Sequence, residues 1–192
     1  MKSPTKAGYS FKGWYKNADF SGKKVTKISK GSTGDRTLYA KWSAKTYKIT
    51  YKLNGGKNVK ANPKSYKVTT DTFALQNPTR KGYKFMGWYS DKTLETPVTE
   101  IATGTIGNQT LYAKWEKETY TITYVLYDGL NSDKNLENYT VTSKTMKLKN
   151  PTKEGYVFKG WYKKDDFSGK KVTQIKKGST GDLTLYAKWV AK

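Results

Sequence analysis

The chain has 192 residues and a formal net charge of +22, and it contains neither cysteine nor histidine. This composition excludes disulfide bonds and thiolate metal sites, and it removes the commonest general base and metal ligand. Aromatic residues make up 15% of the chain, more than a disordered polar chain would carry. We therefore expect several small cores that are rich in aromatic side chains.

Charge and hydropathy also restrict where the chain can lie. No apolar run approaches the roughly 20 residues that a membrane-spanning helix needs, so we expect no membrane insertion. Residues 1–20 lack the apolar segment of a signal peptide, which predicts either a cytosolic protein or a fragment of a longer one. The positive charge repels other copies and attracts polyanions, so we expect a monomer or weak self-association.

Two short strings recur three times and indicate that the chain is built from repeats. Successive copies lie 73 or 74 residues apart, and self-similarity at a fixed period is the signature of a repeat architecture. The string Gly-Trp-Tyr occupies 13–15, 87–89 and 160–162, and the string Thr-Leu-Tyr-Ala-Lys-Trp occupies 37–42, 110–115 and 184–189.

The repeats predict three domains, with a partial unit at residues 1–42 and full units at 46–115 and 119–189. The linkers are short and not glycine-rich, so neighbouring units should be closely coupled. The partial unit lacks a counterpart of residues 46–77, and about 40 residues with an uncovered face should not fold alone. It should pack on the next unit or be poorly ordered, unless the structural unit is permuted relative to the repeat.

The first half of each full repeat predicts three short strands. In the second repeat, Tyr47, Ile49 and Tyr51 alternate with polar residues, which is the period of a half-buried strand. A glycine-rich turn ends this strand, and a second strand is expected over residues 65–69. A short third strand around Phe73 stops at an Asn-Pro step, because proline interrupts the hydrogen-bond ladder.

The second half of each repeat predicts two further strands joined by a long connection. Residues 83–89 form the first of them, in which Gly87 is expected to make a bulge that returns Trp88 to the core. The connection has room for a single helical turn. A glycine-rich turn then leads to a last strand over residues 110–115.

The pattern Tyr-x-Ile-Thr-Tyr-x-Leu…Asn-Pro-Thr-x-x-Gly-Tyr-x-Phe-x-Gly-Trp-Tyr…Thr-Leu-Tyr-Ala-Lys-Trp resembles the Listeria–Bacteroides repeat, also called the internalin B-repeat, over nearly the whole chain. The resemblance implies a mainly β fold of tandem small β-grasp-like domains, a ubiquitin-like variant with little helix. It also implies a secreted, extracellular protein on the bacterial cell surface, between a recognition domain and a cell-wall anchor. The chain would then be a fragment that lacks signal peptide and anchor.

Positions kept in all three copies are nearly all glycine, proline or apolar, as turns and cores require. Carboxylates do not recur: Asn108 stands where the other copies have Asp35 and Asp182, so this position is predicted to be a turn residue. We therefore expect no enzymatic activity, no metal site and no cofactor. The tryptophans predicted to be structural are Trp14, Trp42, Trp88, Trp115, Trp161 and Trp189.

Lysine clusters in the outer repeats are the best functional candidates. They predict either a solvated, self-repelling surface or a polyanion-binding stripe, and lysine without arginine favours diffuse attraction over shaped recognition. Weak nonspecific binding to nucleic acid is expected at low salt only. The first-repeat candidates Lys23, Lys24, Lys27 and Lys30 are taken to recur as Lys170, Lys171, Lys176 and Lys177.

The sequence predicts a non-catalytic spacer and adhesion module that extends a recognition domain from the cell wall and makes low-affinity electrostatic contacts. Expected partners are host glycosaminoglycan, teichoic acid or a host surface protein. The alternative is a dedicated polyanion- or glycan-binding module that uses the lysine clusters. The two hypotheses differ in whether these lysines gather on one face. Lysines kept at 41, 114 and 188 are expected to face outward and discourage strand pairing at the sheet edge.

Overall fold

The computed structural model describes every residue from Met1 to Lys192 and contains β-strands without any helix. The mainly β class predicted from the sequence is therefore confirmed. The helical turn that the long connection could hold is not formed, because Asp91 closes a turn there by accepting backbone hydrogen bonds from Glu95 and Thr96. No helix is available that could cross a bilayer.

The strands are short, and their order recurs at the repeat spacing. The first repeat contains β1 (Tyr9–Tyr15) and β2 (Tyr39–Ala44). The second contains β3 (Thr46–Lys52), β4 (Ser65–Lys67), β5 (Phe73–Ala74), β6 (Tyr83–Tyr89), β7 (Pro97–Val98), β8 (Glu100–Ile101) and β9 (Gln109–Lys117). The third contains β10 (Thr119–Val125), β11 (Asn138–Thr140), β12 (Met146–Lys147), β13 (Tyr156–Tyr162), β14 (Gln174–Ile175) and β15 (Leu183–Ala191).

The two full repeats share one sheet topology. In the third repeat the order is β11-β10-β15-β13, with β10 and β15 parallel and the outer pairs antiparallel. In the second repeat the order is β4-β3-β9-β6-β7, again with a parallel pair at β3 and β9. A separate two-stranded piece, β5-β8 or β12-β14, accompanies each sheet. The first repeat has only the antiparallel pair β1-β2.

The core of the third repeat lies on one face of this sheet. Leu185 and Ala187 of β15 are fully enclosed, and Trp161 of β13 is 2% exposed. Side chains alternate along a strand, so Leu185 and Ala187 share the face that Ile122 of β10 also uses. Ile175 of β14 packs into the same cluster.

A bulge before the Gly-Trp step puts two aromatic rings on one face. The pairing of β13 with β15 shifts register between Phe158 and Gly160, and Gly160 has a φ of +138°. The extra residue lets Phe158 and Trp161 meet edge to face, with ring centroids 5.3 Å apart. The first repeat has the same register shift, and Gly87 has a similar φ of +132°, as the bulge expected there requires.

The chain divides into two compact units that do not coincide with the sequence repeats. One comprises Met1–Pro78 and Gly87–Lys114, and the other comprises Thr79–Met86 and Trp115–Lys192. Each unit therefore contains a junction between consecutive repeats.

The junctions inside the two units use the same contact. In the first unit, Gly8 of the partial repeat lies so close to Val68 of the next repeat that a Cβ on this glycine would be 2.9 Å from two valine carbons. In the second unit, Gly82 lies against Val141 in the same way. A glycine is needed at both places because any side chain would collide with the valine. The partial first repeat thus packs on the repeat that follows it.

A buried asparagine makes three hydrogen bonds within each full repeat. Asn135 is only 8% exposed, and its amide donates to Asn131 Oδ1 at 2.8 Å and to the Lys149 carbonyl at 3.0 Å. Its own carbonyl accepts from the Lys149 amide at 2.7 Å. Asn62 makes the equivalent three bonds in the second repeat. Buried polar groups are costly when unpaired, so these complete sets of bonds tie the loop between the first and second strands of each full repeat to the segment after its third strand.

Candidate polyanion-binding groove

The six tryptophans fall into two classes by position. Trp88 and Trp161, which follow the bulge, are 3% and 2% exposed, and each donates its indole N–H to a backbone carbonyl at 3.1 Å. Trp14 holds this position in the first repeat but is only half-buried. The tryptophans at the end of the last strand, Trp42, Trp115 and Trp189, are also half-buried and pack edge to face on a phenylalanine of the neighbouring strand in the sheet.

The recurring basic residues lie over aromatic rings. Lys188 is half-buried, with its Nζ 5.7 Å from the centroid of Tyr162 and 5.6 Å from that of Phe167. The equivalent Lys41 and Lys114 lie over tyrosine in the same way, at 5.4 Å and 5.1 Å. A cation over a ring face is attracted by the ring quadrupole. The lysine at this repeat position therefore stabilises the fold, beyond the expected role of discouraging strand pairing.

Exposed lysines gather in one groove of the third repeat. The groove has a volume of about 610 Å³, and its walls include Ser168, Thr173 and Gln174, which offer polar groups between the charges. All its lysines are exposed, and no carboxylate lines it. The groove therefore concentrates positive charge in a concave surface, where a flexible polyanion can contact several ammonium groups at once. The lysines that line it are Lys163, Lys164, Lys170, Lys171 and Lys176.

The bulge and its glycine hold one wall of the groove in place. The Val172 amide donates to the Trp161 carbonyl at 2.8 Å, which fixes the lysine-bearing segment beside β13. The alkyl stem of Lys171 then crosses the bulge glycine, so closely that a Cβ on Gly160 would be 2.9 Å from a lysine methylene. The stem is packed while the ammonium group remains in water, as long basic side chains commonly arrange themselves.

A tight turn forms the other wall. The Phe167 amide donates to the Lys164 carbonyl at 3.1 Å, and Phe167 has a φ of +58°. Hydrogen bonds from the Ser168 side chain and backbone, with the Lys164 charge nearby, lower the pKa of Asp166. The carboxylate accepts the Ser168 amide at 2.7 Å, so it is engaged in the turn. The turn therefore places Lys163 and Lys164 beside the other lysines.

A second groove adjoins the first within the same compact unit. Lys163 and Lys176 line both grooves, and Lys81 extends the basic surface along the second, which has a volume of about 430 Å³. Lys81 is held there because its Nζ donates to the Gly178 carbonyl at 2.8 Å. The second groove also contains Asp182, whose Oδ1 accepts the Thr121 amide at 2.8 Å.

The structure brings together some of the lysines predicted from the sequence and leaves others apart. Lys170, Lys171 and Lys176 line the groove, whereas Lys177 is exposed outside its walls. Lys163, Lys164 and Lys81 were not predicted from the sequence. The first two directly follow the Gly-Trp-Tyr string, which is the signal that could have revealed them.

The lysines predicted in the first repeat are all exposed, and their match to the third repeat needs one correction. Lys23 and Lys24 stand at the positions of Lys170 and Lys171, and the stem of Lys24 crosses Gly13 as that of Lys171 crosses its own glycine. The 147-residue spacing between these repeats, however, aligns Lys27 with Gln174, and it aligns Lys176 with Ser29. Lys30 aligns with Lys177, so the two clusters are only partly equivalent.

The middle repeat provides a natural contrast, because the same positions carry no lysine. They are occupied by Ser90, Asp91, Thr96, Pro97 and Ala102. A hydrogen bond from the Thr93 side chain, followed by one from the Thr96 backbone, holds the pKa of Asp91 far below its usual range, so this copy places a firmly ionised carboxylate there. The basic groove is thus a property of particular side chains and not of the repeat fold.

The turn position that carries aspartate or asparagine in the three copies hydrogen-bonds the protein backbone. Asn108 and Asp182 each accept the amide of a residue in the first strand of their repeat at 2.8 Å, which ties the last turn to that strand. An amide and a carboxylate perform this task equally well, as the exchange between copies indicates. No group of three or more acidic side chains converges to hold a metal ion.

Comparison with known proteins places the chain in a family. The model of the Listeria–Bacteroides repeat domain matches it three times, at residues 1–41, 47–114 and 120–188. The chain therefore belongs to the Listeria–Bacteroides repeat family. No solved structure is a significant match.

Three relatives show how such repeats occur in longer proteins. A protein named as a Gly-rich membrane protein of Evansella cellulosilytica is 38% identical over 165 residues, which cover 83% of this chain and 18% of the relative. A second protein of that organism, named as a membrane protein, is 32% identical over 203 residues, covering 97% and 27%. Internalin H of Listeria monocytogenes is 35% identical over 114 residues, covering 58% and 20%. The chain spans about a quarter or less of each relative.

Proposed function

We propose that this chain is a non-catalytic spacer and adhesion module of a bacterial cell-surface protein, which extends a recognition domain from the cell wall. The observation that carries the proposal is that recurring residues and variable residues of the chain have different structural roles. Recurring residues fill cores and turns, while the lysines that differ between copies face solvent. The names of the relatives, two membrane proteins and an internalin, support a location at the cell surface.

For each full repeat we propose a β-grasp-like topology, a ubiquitin-like variant without a helix. The central parallel pairing of the first and last strands, β3 with β9 and β10 with β15, supports this assignment. Such a pairing joins the two ends of each repeat by lateral hydrogen bonds, which suits a module that bears load along the chain.

Replacement of the chain within its parent protein tests the spacer function. An uncharged β-repeat segment of similar length should still present the recognition domain at the cell surface, as antibody labelling of that domain would measure. It should also lose the weak attachment to anionic surfaces that the lysines supply. Loss of presentation with such a length-matched replacement would contradict a simple spacer role.

A second candidate function is dedicated binding of a polyanion by the lysine groove. The specific observation in its favour is the meeting of five lysines from two segments in one concavity, at positions where the middle repeat has none. The ligand class is a sulfated glycosaminoglycan or a teichoic acid, since both present anionic groups along a flexible chain. Nucleic acid would bind only at low salt, by charge alone.

Salt-dependent retention on heparin and on immobilised teichoic acid separates the two functions. One variant replaces the five groove lysines by glutamine. The matched control replaces five exposed lysines of the second repeat, so both variants lower the net charge of +22 by the same amount. Equal losses of retention would indicate diffuse attraction, and a larger loss in the groove variant would indicate a dedicated site. The control positions are Lys48, Lys52, Lys57, Lys60 and Lys67.

A further inference from the structure

Another groove of the third repeat lies between β10 and the loop that joins it to β11. It has a volume of about 770 Å³, with residues 121–124 of β10 in one wall and loop residues from Leu130 onward in the other. It lies where the two strands part, since β11 pairs with β10 only through Thr119–Thr121. We call it the Leu130 groove. Its lining includes the carboxylates Asp133 and Glu137 and no basic residue, although the chain has a net charge of +22.

Hydrogen bonds hold the loop wall of the Leu130 groove in place. Leu130 exchanges two backbone hydrogen bonds with Thr152, at 2.7 Å and 2.9 Å. Asn131 Oδ1 accepts the Ser132 amide at 2.9 Å, and the buried Asn135 makes the three bonds described above. A preformed site loses less conformational entropy on binding than a mobile loop does. The groove is therefore ready to receive a ligand without a rearrangement of its wall.

Large apolar side chains of the same loop lie in water. Leu130 is 74% exposed, Leu136 is 55% exposed and Tyr127 is 42% exposed. The backbone of Leu130 is fixed by Thr152, so the fold itself directs this leucine to the surface. Exposed apolar side chains that gather beside a concave, partly polar surface are typical of a binding site.

The second repeat has the same loop with the opposite charge. Residues 126–138 contain three acidic residues and one basic residue, whereas the equivalent residues 53–65 contain three basic residues and no acidic one. Both loops keep the buried asparagine and its bonds, so the exchange alters the surface and leaves the fold unchanged. The exchanged pairs are Lys57 and Leu130, Lys60 and Asp133, and Lys64 and Glu137.

We propose that the Leu130 groove binds a short polypeptide segment that carries both basic and apolar side chains. Lysine or arginine side chains of the segment would pair with Asp133 and Glu137, and its apolar side chains would cover Leu126 and Leu130. This site is separate from the lysine groove and does not depend on the spacer or polyanion functions.

Charge selects this occupant over the alternatives. A polyanion would be repelled by the two carboxylates and would find the lysine groove more favourable. A second copy of this chain is disfavoured because two molecules of net charge +22 repel each other. A neutral hydrophilic ligand would leave the exposed leucines uncovered.

An NMR titration of the full isotope-labelled chain tests the proposal with two peptides that differ only in charge. They are acetyl-Lys-Leu-Lys-Leu-Lys-amide and acetyl-Glu-Leu-Glu-Leu-Glu-amide. The basic peptide should shift the amide resonances of residues 121–138, and the acidic peptide should leave them unchanged. The net charge of the chain by itself predicts the opposite order, so the two peptides distinguish a specific site from diffuse attraction.

A matched pair of variants locates the binding. The groove variant combines Leu130→Lys, Asp133→Lys and Glu137→Lys, and it should fold normally because the second repeat carries lysine at all three positions. The control variant replaces one apolar and two acidic residues that are exposed and do not line the groove, at positions where the second repeat also carries lysine. Both variants therefore raise the net charge by the same amount. The control substitutions are Val157→Lys, Glu154→Lys and Asp165→Lys.

The groove variant should bind the basic peptide at least about tenfold more weakly than the control variant does, because it places three ammonium groups at the site. Equal binding by the two variants would refute the proposal. So would shifts at 121–138 with the acidic peptide, or none with the basic peptide at about 5 mM. Shifts of the same amides when the chain is concentrated without peptide would assign the groove to a second copy and would also overturn it.

Discussion

Leu185 and Leu38 occupy the same repeat position in very different surroundings. Leu185 is 0% exposed in a closed core, whereas Leu38 is half-buried and lines a cavity of about 300 Å³ in the first repeat. Leu185→Ala should leave an empty space that the core cannot refill, at a cost of about 3 to 5 kcal/mol. Leu38→Ala removes a side chain that already meets water, so we expect a cost of only about 1 kcal/mol.

Hydrogen exchange read by mass spectrometry measures the two changes in the intact chain. Global unfolding curves would mix the repeats, because a multidomain chain need not unfold in one step. Exchange of the β15 amides reports the opening of the third repeat, and exchange of the β2 amides reports that of the first. Each variant is compared with the unmodified chain at the strand that carries the substitution. Leu111→Ala, at a leucine that is 1% exposed, is a second buried case and should behave like Leu185→Ala.

Equal losses of local opening free energy, in β2 for Leu38→Ala and in β15 for Leu185→Ala, would contradict this expectation. That result would mean that the first repeat has a closed core in solution. The exposure of Ile28, which is 53% exposed, would then not hold in solution. A small effect of Leu185→Ala would instead contradict the burial of the third-repeat core.

Three further predictions concern the buried asparagine, a tyrosine and the bulge. Asn135→Ala should leave backbone groups unpaired and lower the free energy of opening of the third repeat by about 2 to 3 kcal/mol. The control Asn138→Ala alters an exposed residue and should change this free energy little. Hydrogen exchange of the third-repeat amides measures both variants. Burial raises the pKa of Tyr51 to about 12. Its contribution to stability is therefore full below pH 10 and is lost as pH rises toward 12. Tyr51→Phe should reduce the loss of exchange protection of the β3 amides between pH 9 and pH 11, measured relative to their intrinsic exchange rates. Gly160→Ala should cost about 1 to 3 kcal/mol, through the positive φ and the collision with Lys171. Unchanged hydrogen exchange of the β13 amides would contradict the packing described for the groove.

Local patterns were sufficient to predict much of each repeat. The alternation of Tyr47, Ile49 and Tyr51 predicts β3, and the spacing of the Gly-Trp-Tyr string predicts β6 with its bulge. Such features depend on residues that are close in sequence and on glycine's access to positive φ. The absence of a helix is different, because the turn closed by Asp91 depends on hydrogen bonds that hydrophobic periodicity does not reveal.

The lysine groove shows where prediction from the sequence stops. The charge clusters in the outer repeats are visible in the sequence, and three of the predicted lysines do line the groove. Lys163 and Lys164 join them only because a turn brings the end of β13 next to the segment at 168–176. Lys81 joins the adjoining groove from the preceding repeat, which no local pattern could indicate.

The repeat, its β character and the residues of its cores can be predicted from the sequence, because they follow from periodicity and from the conformational limits of glycine and proline. The parallel pairing of first and last strands is visible only in the folded chain, since the partners lie about 60 residues apart and antiparallel pairing would satisfy the same pattern. The same holds for which lysines share a groove and for the exposure of Ile28. Both depend on contacts between segments that are distant in the chain.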